Sequence, residues 1–329
     1  MYENAVIQKI DKKLFKKDIN KLARTLIWYT VMMFAVMFLY IIGLSFKIFI
    51  ENMEDMNKGY EYLESCVLKM ENNGVICIVG IAIGMIIILL YRKKELFIHD
   101  LTVVHGEMDS KKFLELFVCF MAPQIMFFVI GLLAEKILNE YGYSILGDIE
   151  TASSSSTTIS MFLYTSFLGP IAEEIVFRGA VLRKLEPYGK LFAIIISAVL
   201  FGAFHANLIQ GIFATMVGLI LGYVAIEYSI KWSILMHILN NFLFSDVMGY
   251  LLKNMNETSG NILSNVVMGG FFLAACVILF KNRMSIKAYI EQNKTQKKLY
   301  AYLFMSSWMI IYLLGNLILA IMGIEKITV

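Results

Sequence analysis

Residues 159–182 read ISMFLYTSFLGPIAEEIVFRGAVL. The stretch is long and apolar enough to cross a bilayer as a helix, which takes about 20 mostly apolar residues. It nevertheless holds Glu173, Glu174 and Arg178 within one and a half turns. An ionisable group at the bilayer centre costs about 2.5–3.5 kcal/mol on insertion scales, so charges there need partners or a purpose. Glu174 and Arg178 are four residues apart, on one helical face, and can pair. Glu173 points about 100° away and is left over. Pro170 cannot donate to the preceding turn, so the helix is expected to restart there. That restart would put both glutamates in a first turn, where the helix dipole favours anions.

The rest of the chain makes the membrane setting plain. Of 329 residues, 59% are apolar or aromatic and 17% charged, and the mean hydropathy is +0.70. A soluble protein carries about 45–50% apolar and about 25% charged residues. The surplus must face lipid, which excludes a disordered, collagen-like or disulfide-stapled secreted chain. Nine spans are expected, at about 25–50, 74–91, 113–138, 159–182, 191–209, 211–228, 232–252, 263–280 and 300–322. Eight spans and an interfacial helix fit almost as well. The predicted fold is thus all-α, a polytopic transmembrane helix bundle of about 8–9 spans.

With a cytoplasmic N-terminus, 22 of the 29 Lys and Arg residues fall in inside segments and six outside, with Arg178 in a span. That bias predicts the N-terminus inside. The first 24 residues are a basic cytoplasmic segment, followed by an apolar run too long for a cleaved leader. Residues 25–150 are expected to form about three N-terminal spans, 151–252 a core that holds the polar residues, and 253–329 C-terminal spans. The loop 139–158 is expected to be a solvated, flexible connection. Cys66, Cys77, Cys119 and Cys276 are widely spaced and read as packing residues. A net charge of +3 gives no reason to expect nucleic acid as a partner. Asp246 and Glu227, near span ends, receive no role.

Two further polar groups follow. The fifth span carries Phe201-Gly202-Ala203-Phe204-His205, with Phe201 on the face of His205. The seventh carries His237-Ile238-Leu239-Asn240-Asn241, with His237 and Asn241 on one face. Singly, each reads as a packing histidine or as interhelical glue. Together they form a polar set on three nearby helices. At about 1.5 Å per residue, Glu173, His237 and His205 lie roughly 13, 9 and 21 Å from the cytoplasmic ends of their helices. One water-filled cavity opening to the cytoplasm would serve all three. A carboxylate and a histidine sharing a water act as its general base, which suits Glu173 with His205. Donors opposite stabilise an oxyanion, which suits His237 with Asn241. No zinc His-Glu-x-x-His, aspartyl Gly-x-Gly-Asp or serine Gly-x-Ser-x-Gly signature is present.

The ordered set Glu173-Glu174-x-x-x-Arg178, Phe201-x-x-x-His205 and His237-x-x-x-Asn241 resembles the CPBP family, the type II CAAX prenyl endopeptidases and bacteriocin-processing or Abi proteins. The resemblance covers about residues 160–250, where Gly218, Gly222 and Trp232 also fit. It implies an intramembrane endopeptidase in which Glu173 activates water, His205 assists, His237 and Asn241 hold the oxyanion, and Glu174, Arg178 and Phe201 support them. A metal-free reaction is expected; the alternative is zinc on Glu173, His205 and His237. The substrate is expected to be a membrane-associated peptide or protein. The Lys-rich, Pro-poor composition points to a bacterial plasma membrane, and for bacterial members the resemblance implies peptide or bacteriocin maturation or immunity. Rival readings are a non-catalytic immunity or signalling partner and a transporter or proton relay.

Overall fold

The computed structural model describes residues 11–51 and 73–327. Cys66, Lys9, Lys58 and Lys69 lie outside the described residues. Eleven helices account for nearly all of it: α1 Lys12–Glu51, α2 Gly74–Arg92, α3 Ser110–Glu140, α4 Leu146–Ser153, α5 Ile159–Tyr188, α6 Lys190–Phe204, α7 Leu208–Glu227, α8 Ile230–Lys253, α9 Glu257–Gln292, α10 Lys297–Phe304 and α11 Ser307–Met322. Seven of these are long and apolar enough to cross a membrane, or eight if α10 and α11, bent by 72°, form one span. The chain is an integral, multi-pass helical membrane protein. Leu39, Leu90, Leu132, Leu273 and Leu314 project outward from it, as a lipid-facing surface requires.

The nine expected spans overlap helices, but the ninth, 300–322, is broken between α10 and α11, and the fifth is too short to count among the seven. At 15 residues α6 reaches about 22 Å, less than the hydrocarbon thickness of about 30 Å. It stops at a tight connection: Ala206 takes a left-handed φ of 48°. Asn207 then caps α7 by accepting from the Gln210 amide at 2.9 Å. His205 therefore sits at the very end of α6. At the open end of this hairpin Lys190 meets Glu227 at 2.9 Å, and Tyr289 donates to the same carboxylate at 2.8 Å. Glu227 thus clasps α6, α7 and α9. The hairpin packs closely because glycines line its seam: a Cβ on Gly202 would run into the Thr215 hydroxyl and the Gly211 carbonyl.

The loop 139–158 departs from expectation. Tyr143–Ser144 (β1) pairs antiparallel with Glu325–Lys326 (β2), in register Tyr143 to Lys326. Helix α4 follows. The Glu135 carboxylate accepts from the Ile145 amide at 2.7 Å and the Ser144 hydroxyl at 2.8 Å. Ile145 is buried. The first part of the connection is thus held by Glu135 of α3 and by the distant C-terminal strand. The basic approach to the first span is also packed: α1 runs unbroken through it and buries Phe15, Ile19 and Leu22. Lys12 lies 4.8 Å from the Tyr302 ring centroid and Lys21 5.3 Å from that of Tyr91.

Candidate active site

Helix α5 does not break at Pro170. It widens instead into a π-turn over Tyr164–Leu168, in which the Gly169 amide reaches back five residues to the Tyr164 carbonyl. In that register Pro170 would be the donor to Thr165, and proline has no N–H. The Thr165 carbonyl accepts from the Asn241 side chain at 2.8 Å instead. The expected restart is therefore corrected. Glu173 and Glu174 sit within a continuous helix, so the dipole argument for them falls away. A second π-turn, Ile175–Val181, follows after the α-helical segment Gly169–Glu174, and Asn241–Val247 makes a third in α8. Such bulges gather at functional sites, because each re-aims the side chains around it.

Glu174 and Arg178 pair as their spacing predicts, with Nη1 3.1 Å from Oε1 and neither side chain exposed. The guanidinium lies 4.3 Å from the Phe201 ring centroid and reaches the Gly218 carbonyl at 3.4 Å. Gly218 is needed here: a Cβ would come within 3.1 Å of Ala198 Cα and 3.3 Å of Arg178 Nη2. The same Glu174 Oε1 accepts from His237 Nδ1 at 3.0 Å. The pair thus has a second task, holding an imidazole by one nitrogen.

The other nitrogen of that ring faces Glu173, with Nε2 3.7 Å from Oε2, too far for a direct hydrogen bond. Glu173 is 20% exposed where Glu174 is 0%, so only Glu173 has room for a water or a substrate. His205 turns Nδ1 to the Phe201 carbonyl at 2.9 Å. A carbonyl only accepts, so Nδ1 carries the proton and neutral His205 presents a bare Nε2 lone pair. No hydrogen bond or ion pair joins His205 to Glu173. Phe201 gathers the group: its ring lies edge-on to His205 at 4.9 Å and to His237 at 5.7 Å. Glu173, Glu174, Arg178, Phe201, His205 and His237 are thus one cluster. No hydrogen bond joins Asn241 to this cluster; its oxygen accepts from Asn240 and one amide hydrogen goes to the Thr165 carbonyl.

Among the described residues, no group of three His, Cys, Asp or Glu side chains is placed to hold a metal ion. As arranged, Glu173, His205 and His237 do not form the zinc set considered above. Cys77, Cys119 and Cys276 are unpaired thiols. A cavity of about 580 Å³ lies elsewhere, between the start of α1 and the end of α5, lined by Phe15, Asp18, Arg92, Arg183, Lys184 and Tyr188. None of the cluster residues lines it.

The cluster also draws on residues that spacing did not single out. Tyr29 of α1 packs against Phe204, next to His205, with ring centroids 5.7 Å apart. It looks like an ordinary aromatic residue of a span in the sequence. Asp246 accepts from the Ser166 hydroxyl and from the Ser156 amide, at 3.2 Å for the latter, fixing α8 to the start of α5. Gln124 of α3 donates to Asn240 at 2.7 Å. A polar residue beside Pro123 in an apolar span was the one available signal, and nothing in its spacing named a partner.

Residues 155–243 match the family model described as type II CAAX prenyl endopeptidase Rce1-like. This segment is similar to that family. It spans about a quarter of the chain and contains all seven residues of the ordered motifs. Gln124 and Tyr29 lie outside the Rce1-like segment, on helices that pack around it. No curated protein and no solved structure matches the chain.

Proposed function

We propose that the chain is an intramembrane endopeptidase of the CAAX-protease type, acting on a membrane-associated peptide or protein. The observation that carries this reading is the arrangement around Phe201. One partly open carboxylate, Glu173, stands beside two histidines, while its neighbour Glu174 is consumed in holding Arg178 and His237. A purely structural cluster has no use for Glu173.

In this reading Glu173 takes a proton from water, with the His205 Nε2 lone pair assisting. The water oxygen attacks the peptide carbonyl carbon, and the carbonyl oxygen becomes the oxyanion. The second amide hydrogen of Asn241 stabilises it. His237 joins only in its doubly protonated form, in which Nδ1–H holds Glu174 and Nε2–H is left for the substrate oxygen. Collapse of the tetrahedral intermediate breaks the C–N bond. The proton held by Glu173 passes to the leaving amine. No step runs through a metal. The Lys/Arg bias supports a cytoplasmic N-terminus and, with it, entry to the site from the cytoplasmic side of a bacterial plasma membrane. A role in peptide or bacteriocin maturation or immunity fits this placement.

The test uses the full chain in detergent with a fluorogenic prenylated CAAX peptide and a set of membrane-inserted peptides. Cleavage is expected, insensitive to chelators. Glu173→Ala or His205→Ala should abolish it, a loss of at least roughly 10²-fold. Wild-type turnover in either variant refutes the proposal.

A further inference from the structure

Helix α3 lies outside the Rce1-like segment, yet it sends one buried amide toward the site. Gln124 Nε2 donates to Asn240 Oδ1 at 2.7 Å, Asn240 Nδ2 donates to Asn241 Oδ1 at 3.0 Å, and Asn241 Nδ2 donates to the Thr165 carbonyl at 2.8 Å. Gln124 and Asn240 are buried. Three amides therefore run head to tail across α3, α8 and α5.

The direction of this chain is fixed by its far end. The Thr165 carbonyl can only accept, and Pro170 cannot supply its π-register donor. Asn241 must therefore turn its NH₂ to Thr165, which turns its oxygen to Asn240. Asn240 must then donate, which turns its own oxygen to Gln124, and Gln124 must donate in turn. A different assignment of any one amide would set two oxygens or two NH₂ groups against each other. The result for Asn241 is a single permitted orientation. Its oxygen is occupied, one hydrogen is committed, and the second hydrogen is the free group.

We infer that Gln124 is a positioning residue for the Asn241 amide, locking its NH₂ in the orientation that an oxyanion needs. The inference rests on the reading of Asn241 as an oxyanion donor. Without Gln124 the Asn240 oxygen loses its donor and Asn240 is no longer held in place as the donor to Asn241; Asn241 then keeps its bond to the Thr165 carbonyl but is anchored from that side alone. A donor meeting charge that develops only in the transition state acts on kcat rather than KM.

The experiment compares full-length wild type with Gln124→Leu, Gln124→Glu, Asn241→Ala and Gln124→Leu/Asn241→Ala, on the prenylated peptide probe in detergent. Gln124→Leu should lower kcat about tenfold with KM unchanged, the scale of one hydrogen bond. It should add nothing in the Asn241→Ala background, because both changes remove the same donor. Gln124→Glu supplies a readout that packing alone does not move. An ionised carboxylate can only accept and opposes the Asn240 oxygen, whereas a protonated one donates as glutamine does. The activity of Gln124→Glu relative to wild type should therefore recover as pH falls. Loss of activity in Asn241→Ala with wild-type kcat in Gln124→Leu and an unaltered pH profile in Gln124→Glu overturns the positioning role alone. Wild-type kcat in Asn241→Ala removes the oxyanion reading, and the positioning role with it.

Discussion

The Glu174–Arg178 pair offers a perturbation in which stability and activity should part company. Glu174→Leu leaves a fully buried guanidinium whose Nε and Nη1 already lack hydrogen-bond partners. Its remaining polar contact is the Gly218 carbonyl at 3.4 Å. Removing one member of a buried ion pair costs about 3–5 kcal/mol, because the surviving charge stays desolvated. At about 2–4 °C per kcal/mol for large chains, the melting temperature should fall by roughly 10 °C. The double variant Glu174→Leu/Arg178→Met removes both charges and keeps similar volume. Such replacements are often neutral or stabilising, so its melting temperature should return close to wild type. Its activity should not. His237 Nδ1 has lost its acceptor at 3.0 Å, and the ring is no longer held in one tautomer and one orientation. Turnover of the double variant should stay at least roughly 10²-fold below wild type. Thermal unfolding in detergent and peptide cleavage measured on the same preparations decide the matter. A double variant as unstable as the single one, or one with wild-type turnover, refutes the reasoning.

Gly202→Ala should destabilise by about 1–3 kcal/mol, since its Cβ meets the Gly211 backbone of the facing helix rather than a flexible chain end. Because His205 follows three residues later, cleavage should fall with the melting temperature, and a wild-type value of both would contradict the close seam. Asp148, on α4, has its carboxyl pushed above the usual range by burial, with the Glu325 charge adding to it. A carboxyl raised in the folded state is cost-free while protonated below its ordinary pKa, and its ionisation lowers stability as pH rises through the raised value. Asp148→Asn should accordingly raise the melting temperature at neutral pH, with the gain fading in acid; an equal gain at all pH values would rule out this titration.

The Glu174–Arg178 pair was legible because four-residue spacing places both side chains on one helical face, and the π-turn over Ile175–Val181 leaves them within 3.1 Å. The cluster of Glu173, His205 and His237 was legible because polar residues stand out against an apolar background. The reading of Pro170 failed for a definite reason. Helical periodicity assumes 3.6 residues per turn, and the π-turn over Tyr164–Leu168 changes the register so that the helix passes through the proline. The strand Tyr143–Ser144 within the loop 139–158 was missed because its partner lies about 180 residues away, where no local pattern can point.

By itself, the sequence determined that this chain lives in a bilayer, where its helices run, and which few polar side chains need an explanation. Those facts depend on hydrophobicity and on spacing within one helix, and both are local. Only the tertiary structure decided that Glu174 holds His237 as well as Arg178, that Phe201 gathers both histidines, and that Asn241 answers the carbonyl freed by Pro170. Each is a meeting between different helices. Such meetings depend on the packing of glycine seams and on π-turn registers, and a hydrogen bond between helices leaves no period in the sequence.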